Sequence, residues 1–115
     1  MIVRRRFDFE AAHQLPHHPG KCRELHGHSY RLVVAVDLPV DPETGLAIDF
    51  SELKRVVKEA VVDPLDHSYL NERIDNPTAE VMAVWIWERL HDILPGLTEI
   101  ELFETRNCSV LYRGE

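Results

Sequence analysis

FEAAHQL (residues 9–15) and HGHSYRLVVAVD (26–37) decide how this chain folds. Across residues 2–14, Phe7, Phe9, Ala11 and His13 share one parity, and Arg6, Asp8 and Glu10 share the other. Successive strand side chains point to opposite faces, so the alternation predicts a strand with one apolar face. Residues 26–38 predict a second strand, with His26, His28, Tyr30, Leu32, Val34 and Val36 on one parity. The other parity carries Ser29 and Arg31, then Val33 and Ala35. Both faces of this strand are therefore expected to be covered, one of them by a partner chain. Between the strands, PHHPGKCRE (16–24) is punctuated by proline and glycine and reads as a loop.

Working outward, PVDPETG (39–45) is a turn-rich connection. Asp49 stands three residues before Glu52, a variant of the capping box. The helix it opens places Leu53, Val56, Val57, Ala60 and Val61 on one stripe, and Pro64 is expected to stop it. LDHSYLN (65–71) reads as a short loop. Asn76-Pro77-Thr78 predicts a second helix with proline in its first turn, burying Met82, Ala83, Ile86, Leu90 and Ile93. Pro95-Gly96 ends it, and two strands follow at roughly 98–105 and 107–113. The order β-β-α-α-β-β predicts an α+β fold: a four-stranded antiparallel sheet with both helices on one face. Its open edges invite pairing with further copies of the chain.

The 115 residues are read as one domain, 1–115. With 44% hydrophobic and 29% charged residues, composition excludes disorder. No apolar run approaches the ~20 residues of a membrane span. Met1 to Phe7 carries three arginines and no apolar stretch, so no secretory signal is expected there. A formal charge of −7 argues against a general nucleic-acid binder, though not against a local basic cluster. A cytoplasmic location is expected, with Cys22 and Cys108 as reduced thiols.

Histidine is the outlier: seven in all, five of them between His13 and His28. His26-Gly27-His28 is a strand-type HxH that turns two imidazoles to one face, with the glycine leaving space on the other. If the first two strands form a hairpin, His13 joins them by matched parity. Three neutral histidines and an open fourth position are the pattern of a catalytic zinc site. The plainer role of hydrogen-bonded core histidines stays open. His17 and His18 read as solvated loop residues, and His91 as a surface residue.

Three further groups carry chemistry. Cys22 sits in a basic loop, where Lys21, Arg23 or a metal would favour the thiolate, a base or nucleophile; an inert thiol is the alternative. Cys108 reads as a packed strand residue. Asp66-His67 can be a carboxylate orienting a proton-transferring imidazole, or a turn cap beside a bystander. Glu104 shares parity with Ile100 and Leu102, and a carboxylate on an apolar strand face needs a partner. It suits a planar ligand edge with two N–H donors, or else pairs with a surface arginine.

FEAAHQL (9–15), CRELHGH (22–28), LDHSYLN (65–71), NPTAE (76–80) and ETRNCSVLY (104–112), in this order, resemble the 6-pyruvoyltetrahydropterin synthase/QueD family. The resemblance implies the tunnelling fold, in which subunits join sheet to sheet into an oligomeric barrel, usually a hexamer of two trimers with sites between subunits. It implies zinc on His13, His26 and His28, proton transfer by Cys22, Asp66 and His67, and a pterin held by Glu104 and Thr105. The spacing C-x-x-x-H-G-H looks like the members that make 6-carboxytetrahydropterin from 7,8-dihydroneopterin triphosphate in queuosine (7-deazaguanine) biosynthesis. Related alternatives are a 6-pyruvoyltetrahydropterin synthase, a folate-pathway enzyme with glutamate in place of the cysteine, or a non-catalytic zinc or pterin module. Glu24 is in the loop but not at that cysteine's position. Lys21, Arg23, His17 and His18 are expected to supply part of the positive charge the triphosphate needs.

Overall fold

The computed structural model describes residues 1–115. Two long strands, β1 (Ile2–His13) and β2 (His26–Asp37), pair antiparallel from Ile2 opposite Asp37 to His13 opposite His26. A one-turn 3-10 helix (Lys21–Arg23) lies in the loop between them. Helix α1 (Phe50–Val57) continues through a π-helical turn (Lys58–Val62) into α2 (Asp63–Leu65), so the helical rod outlasts the expected stop at Pro64 by one residue. Pro64 stands inside this rod, two residues after the π-helical turn and one before its end. The short strand β3 (Ser68–Tyr69) follows, then α3 (Ala79–His91), β4 (Leu97–Phe103) and β5 (Ser109–Tyr112).

The sheet has five strands in the order β3-β1-β2-β4-β5 and is open. The expected four-stranded antiparallel sheet is thus corrected: β3 adds a parallel edge beside Ala11 and Ala12. Two residues paired through the backbone leave no period for a sequence pattern to reveal. One face of the sheet carries the helices. Phe7, Phe9, Tyr30, Leu32, Val34, Ile100 and Leu102 project from it into a core completed by Leu53, Val57, Val61, Met82, Ile86 and Leu90. The opposite face holds the other parity, from Arg4 to Glu10 on β1 and from Ser29 to Ala35 on β2. On that face Ala35 is buried and Val33 half-buried.

Capping differs in detail from expectation. Asp49 caps α1 by accepting the Ser51 N–H at 2.8 Å, while Glu52 turns to Arg55 instead of reaching back. Thr78 caps α3 through Oγ1 and the Val81 N–H, which puts Pro77 outside the helix. Ile93 lies beyond the end of α3 and is 51% exposed, so it is not a core residue. Cys108 is exposed and precedes β5, so it is not a packed strand residue either.

Candidate metal and proton-transfer site

His13 ends β1, and His26 and His28 begin β2. The hairpin register sets His13 opposite His26, so all three imidazoles share the helix-bearing face at one end of the sheet. Their available ring nitrogens lie within 4.8 Å of one another. His13 Nε2 and His26 Nε2 are 2.9 Å apart.

Backbone carbonyls fix the tautomers. His13 Nδ1 is 2.8 Å from the Pro77 carbonyl, and His26 Nδ1 is 2.7 Å from the Glu24 carbonyl. A carbonyl only accepts, so each Nδ1 carries the proton and each Nε2 is left as a lone pair. Two lone pairs then face each other at 2.9 Å, a repulsive pair that a shared cation would relieve. His28 Nε2 is buried without a hydrogen-bond partner. An unpartnered buried nitrogen beside two opposed lone pairs fits a metal ion and is otherwise costly. Three neutral imidazoles suit zinc, whose nitrogen ligands would stand about 3.3 Å apart at Zn–N near 2.0 Å.

Burial supports the same state. It lowers the pKa of His13 and of His28, outweighing the opposing pull of Glu104. Both rings are thus biased to the neutral, ligating form. Tyr30 lies beneath them, its hydroxyl 3.3 Å from His13 Nδ1 and its ring stacked on Phe9. Burial, then Glu104, raise the Tyr30 pKa beyond its ordinary value, so the phenol stays protonated.

Glu104 answers the puzzle of a carboxylate on an apolar face: its Oε1 is 3.5 Å from His28 Nε2. It follows β4 in the hairpin turn, where its N–H donates to the Cys108 carbonyl at 3.2 Å. Cys22, half-buried in the 3-10 turn, lines the same cavity of about 480 Å³ as Glu104, with His18, Thr78 and Cys108 around it. His18 is therefore a wall of the cavity, and its Nδ1 also accepts the Gly20 N–H at 2.9 Å.

Asp66 and His67 are held elsewhere. Asp66 Oδ1 accepts the Glu10 N–H at 2.9 Å and lies 3.0 Å from His67 Nδ1. The His67 N–H closes the clamp on the Glu10 carbonyl at 2.6 Å. Capping and orienting are thus done by one carboxylate, whose pKa is lowered first by the Glu10 N–H and then by His67. His67 takes φ +57°, a left-handed conformation that lets the turn bring both residues to the β1 edge. Its ring is exposed and borders a concavity of about 470 Å³ with Glu10, Gly27, His28 and Ser29. Within one chain, then, Cys22 and His67 are not brought into the same cavity. Thr105 is likewise separated from Glu104, bordering the uncovered sheet face with Asp8 and Arg106.

Sequence reasoning missed several supports. Asn71 grips the residue after His13, accepting the Gln14 N–H at 2.9 Å and donating to the Gln14 carbonyl at 2.8 Å. Tyr69 donates to Gln14 Oε1 at 2.8 Å. Pro77 and Glu24 act through carbonyls, which no side-chain pattern discloses. The space expected of Gly27 is modest: a Cβ there would meet the Ala11 carbonyl at 3.4 Å, an ordinary contact.

An α+β sheet with three histidines converging at a hairpin end and a carboxylate beside them defines a candidate metal centre with an acidic group at its rim. Residues 2–115 match the family model described as 6-pyruvoyl tetrahydropterin synthase, and the chain belongs to that family. A 6-carboxy-5,6,7,8-tetrahydropterin synthase of Synechocystis is 46% identical over 96% of this chain and 92% of its own length. The human 6-pyruvoyl tetrahydrobiopterin synthase is 37% identical over 98% of this chain and 91% of its own. The solved Caenorhabditis elegans 6-pyruvoyl tetrahydropterin synthase superposes with a TM-score of 0.90 at 26% identity, covering 100% of this chain and 96% of that one. No helix is long and apolar enough to cross a membrane.

Proposed function

We propose that the chain is a zinc-dependent 6-carboxy-5,6,7,8-tetrahydropterin synthase of the cytoplasm. It would convert 7,8-dihydroneopterin triphosphate and water to 6-carboxytetrahydropterin, acetaldehyde and triphosphate in queuosine biosynthesis. The observation that carries this reading is the set of opposed Nε2 lone pairs with the orphaned His28 Nε2 beside Glu104. The relative from Synechocystis carries the choice of product. His13, His26 and His28 hold the zinc, which when bound supplies a Lewis acid toward the oxygens of the substrate side chain.

The chain's own groups do the rest. The Glu104 carboxylate accepts two N–H donors of the pterin edge, and Thr105, which borders the uncovered face, joins it from a neighbouring copy. Cys22 Sγ, as thiolate, takes a proton from the substrate side chain. Asp66 accepts the Nδ1–H of His67, leaving His67 Nε2 as the atom that receives and returns a proton. Cys22 and His67 border different cavities of one chain, so a complete centre draws on neighbouring copies. The main-chain edge of β1 before Glu10 is left unpaired, which suits strand-to-strand assembly, here proposed as a homohexamer of two trimers.

The test is incubation of zinc-loaded protein with 7,8-dihydroneopterin triphosphate and mass analysis of the product. 6-Carboxytetrahydropterin with acetaldehyde supports the reading. 6-Pyruvoyltetrahydropterin would assign the chain to the other branch, and unchanged substrate would leave a binding module.

A further inference from the structure

The uncovered face of the sheet holds two arginines without an ion pair, which the proposed reaction does not use. β1 sends Arg4, Arg6, Asp8 and Glu10 to this face; their partners on β2 are Ala35, Val33, Arg31 and Ser29. β4 adds Glu99 and Glu101 opposite Ala35 and Val33. Each carboxylate already has a partner. Asp8 takes Arg31 at 3.3 Å, Glu10 takes the Ser29 hydroxyl at 2.7 Å, Glu99 takes Arg113 at 3.1 Å, and Glu101 takes the Ser109 hydroxyl at 2.8 Å. Arg4 and Arg6 make no ion pair and face only Ala35 and Val33 across the ladder. Along the strand Arg6 has Asp8 two residues away, about 6.6 Å, but Asp8 is engaged by Arg31.

Arg4 and Arg6 border a concavity of about 390 Å³ with Arg5, Arg31, Val33, Glu101 and Phe103, and its one carboxylate, Glu101, is held by the Ser109 hydroxyl. That concavity shares Arg31 and Phe103 with a second one, which shares Glu10 and Ser29 with the His67 concavity. The three make a furrow along the sheet from the proton-transfer dyad to the arginines. Guanidinium forks match phosphate oxygens in pairs, and side chains two apart on a strand stand about 6.6 Å from each other, a spacing a linear polyphosphate can bridge.

We propose that Arg4 and Arg6, with Arg31 at their flank, form a polyphosphate-binding site on the uncovered face of the sheet. This site, and not the Lys21–Arg23 loop, is where an acidic chain holds a triphosphate. Its place in turnover rests on the function proposed above, but the binding itself does not. The anion has two sources, the substrate's tail and the released triphosphate.

The experiment is calorimetric titration of metal-free full-length protein with inorganic triphosphate at low salt; removing metal stops the anion from reporting chelation. Saturable binding is expected, weakening as salt rises. Arg4→Ala/Arg6→Ala is expected to lose at least tenfold in affinity, with zinc content on reloading unchanged, and Arg6→Lys to lose less. If the double variant misfolds, single Arg4→Gln and Arg6→Gln are each expected to weaken binding severalfold. The proposal is overturned by absence of binding, by unchanged affinity in the arginine variants, or by transfer of the whole loss to Lys21→Ala/Arg23→Ala. It is also overturned if the arginine variants fall apart into smaller assemblies with affinity intact, which would make the cluster a contact between copies. In turnover assays, competitive inhibition by triphosphate places the substrate's tail in the site, and noncompetitive inhibition the released anion; either pattern, lost in the double variant, supports it. Binding without any pterin turnover would retire the proposed reaction and leave the site standing.

Discussion

The three-histidine centre and the Asp66–His67 turn are built by opposite means. The histidines sit on paired strands, and His13 is wholly buried with its Nδ1 fixed by a carbonyl. The dyad sits on a turn, with His67 in a left-handed conformation and its ring 79% exposed. A ligand set gains from rigidity, because its geometry must match an ion before the ion arrives. A proton carrier gains from exposure, because it must meet a substrate that this chain alone does not enclose. On the proposed function, the contrast makes metal holding a property of the single chain and proton transfer a property of the assembly.

Substitutions on each side break or sharpen that contrast. His26→Ala or His28→Ala is expected to remove zinc and abolish turnover, read by metal content of the purified protein. Retention of one zinc per chain would show that the triad is not the ligand set. His67→Ala is expected to lower kcat by about 10²–10⁴, the usual worth of a positioned acid–base group, with zinc content intact. Asp66→Asn should follow it more weakly and also loosen the turn, since it holds the Glu10 N–H. Tyr30→Phe is expected to weaken zinc affinity by about tenfold, the low end for groups supporting a ligand, measured by competition with a chelator.

The smallest effect concerns pH. Burial lowers the pKa of His13 and His28 from the ordinary 6.5, so each is biased to the neutral form at a lower pH than a free imidazole. For metal-free protein, the unfolded chain takes up these protons first, so stability is full above pH 6.5 and declines as pH falls toward the lowered folded values. A melting temperature constant from pH 7 down to 5 would contradict that sign.

How much of this was legible in the sequence follows from what a pattern can carry. The hairpin and its three converging histidines were legible because strand parity converts spacing into direction. Both helices were legible from their stripes, although Pro64 falls inside the rod and Ile93 outside the core. β3 was not legible, being two residues long. The clamp of Asp66 and His67 on Glu10 was not legible either, because it joins a side chain to a backbone 56 residues away. Cys108 and His18 gained a place at the cavity only through three-dimensional neighbours. The four engaged carboxylates that leave Arg4 and Arg6 free appear in the sequence only as an acidic balance.

The central claim is that a metal centre complete in one chain works with a thiol that is not part of it. Acetaldehyde release from 7,8-dihydroneopterin triphosphate by Cys22→Ala, assayed on protein carrying one zinc per chain, tests it most directly. The account predicts a folded, zinc-loaded protein with turnover lost. Normal acetaldehyde release by that variant would contradict it.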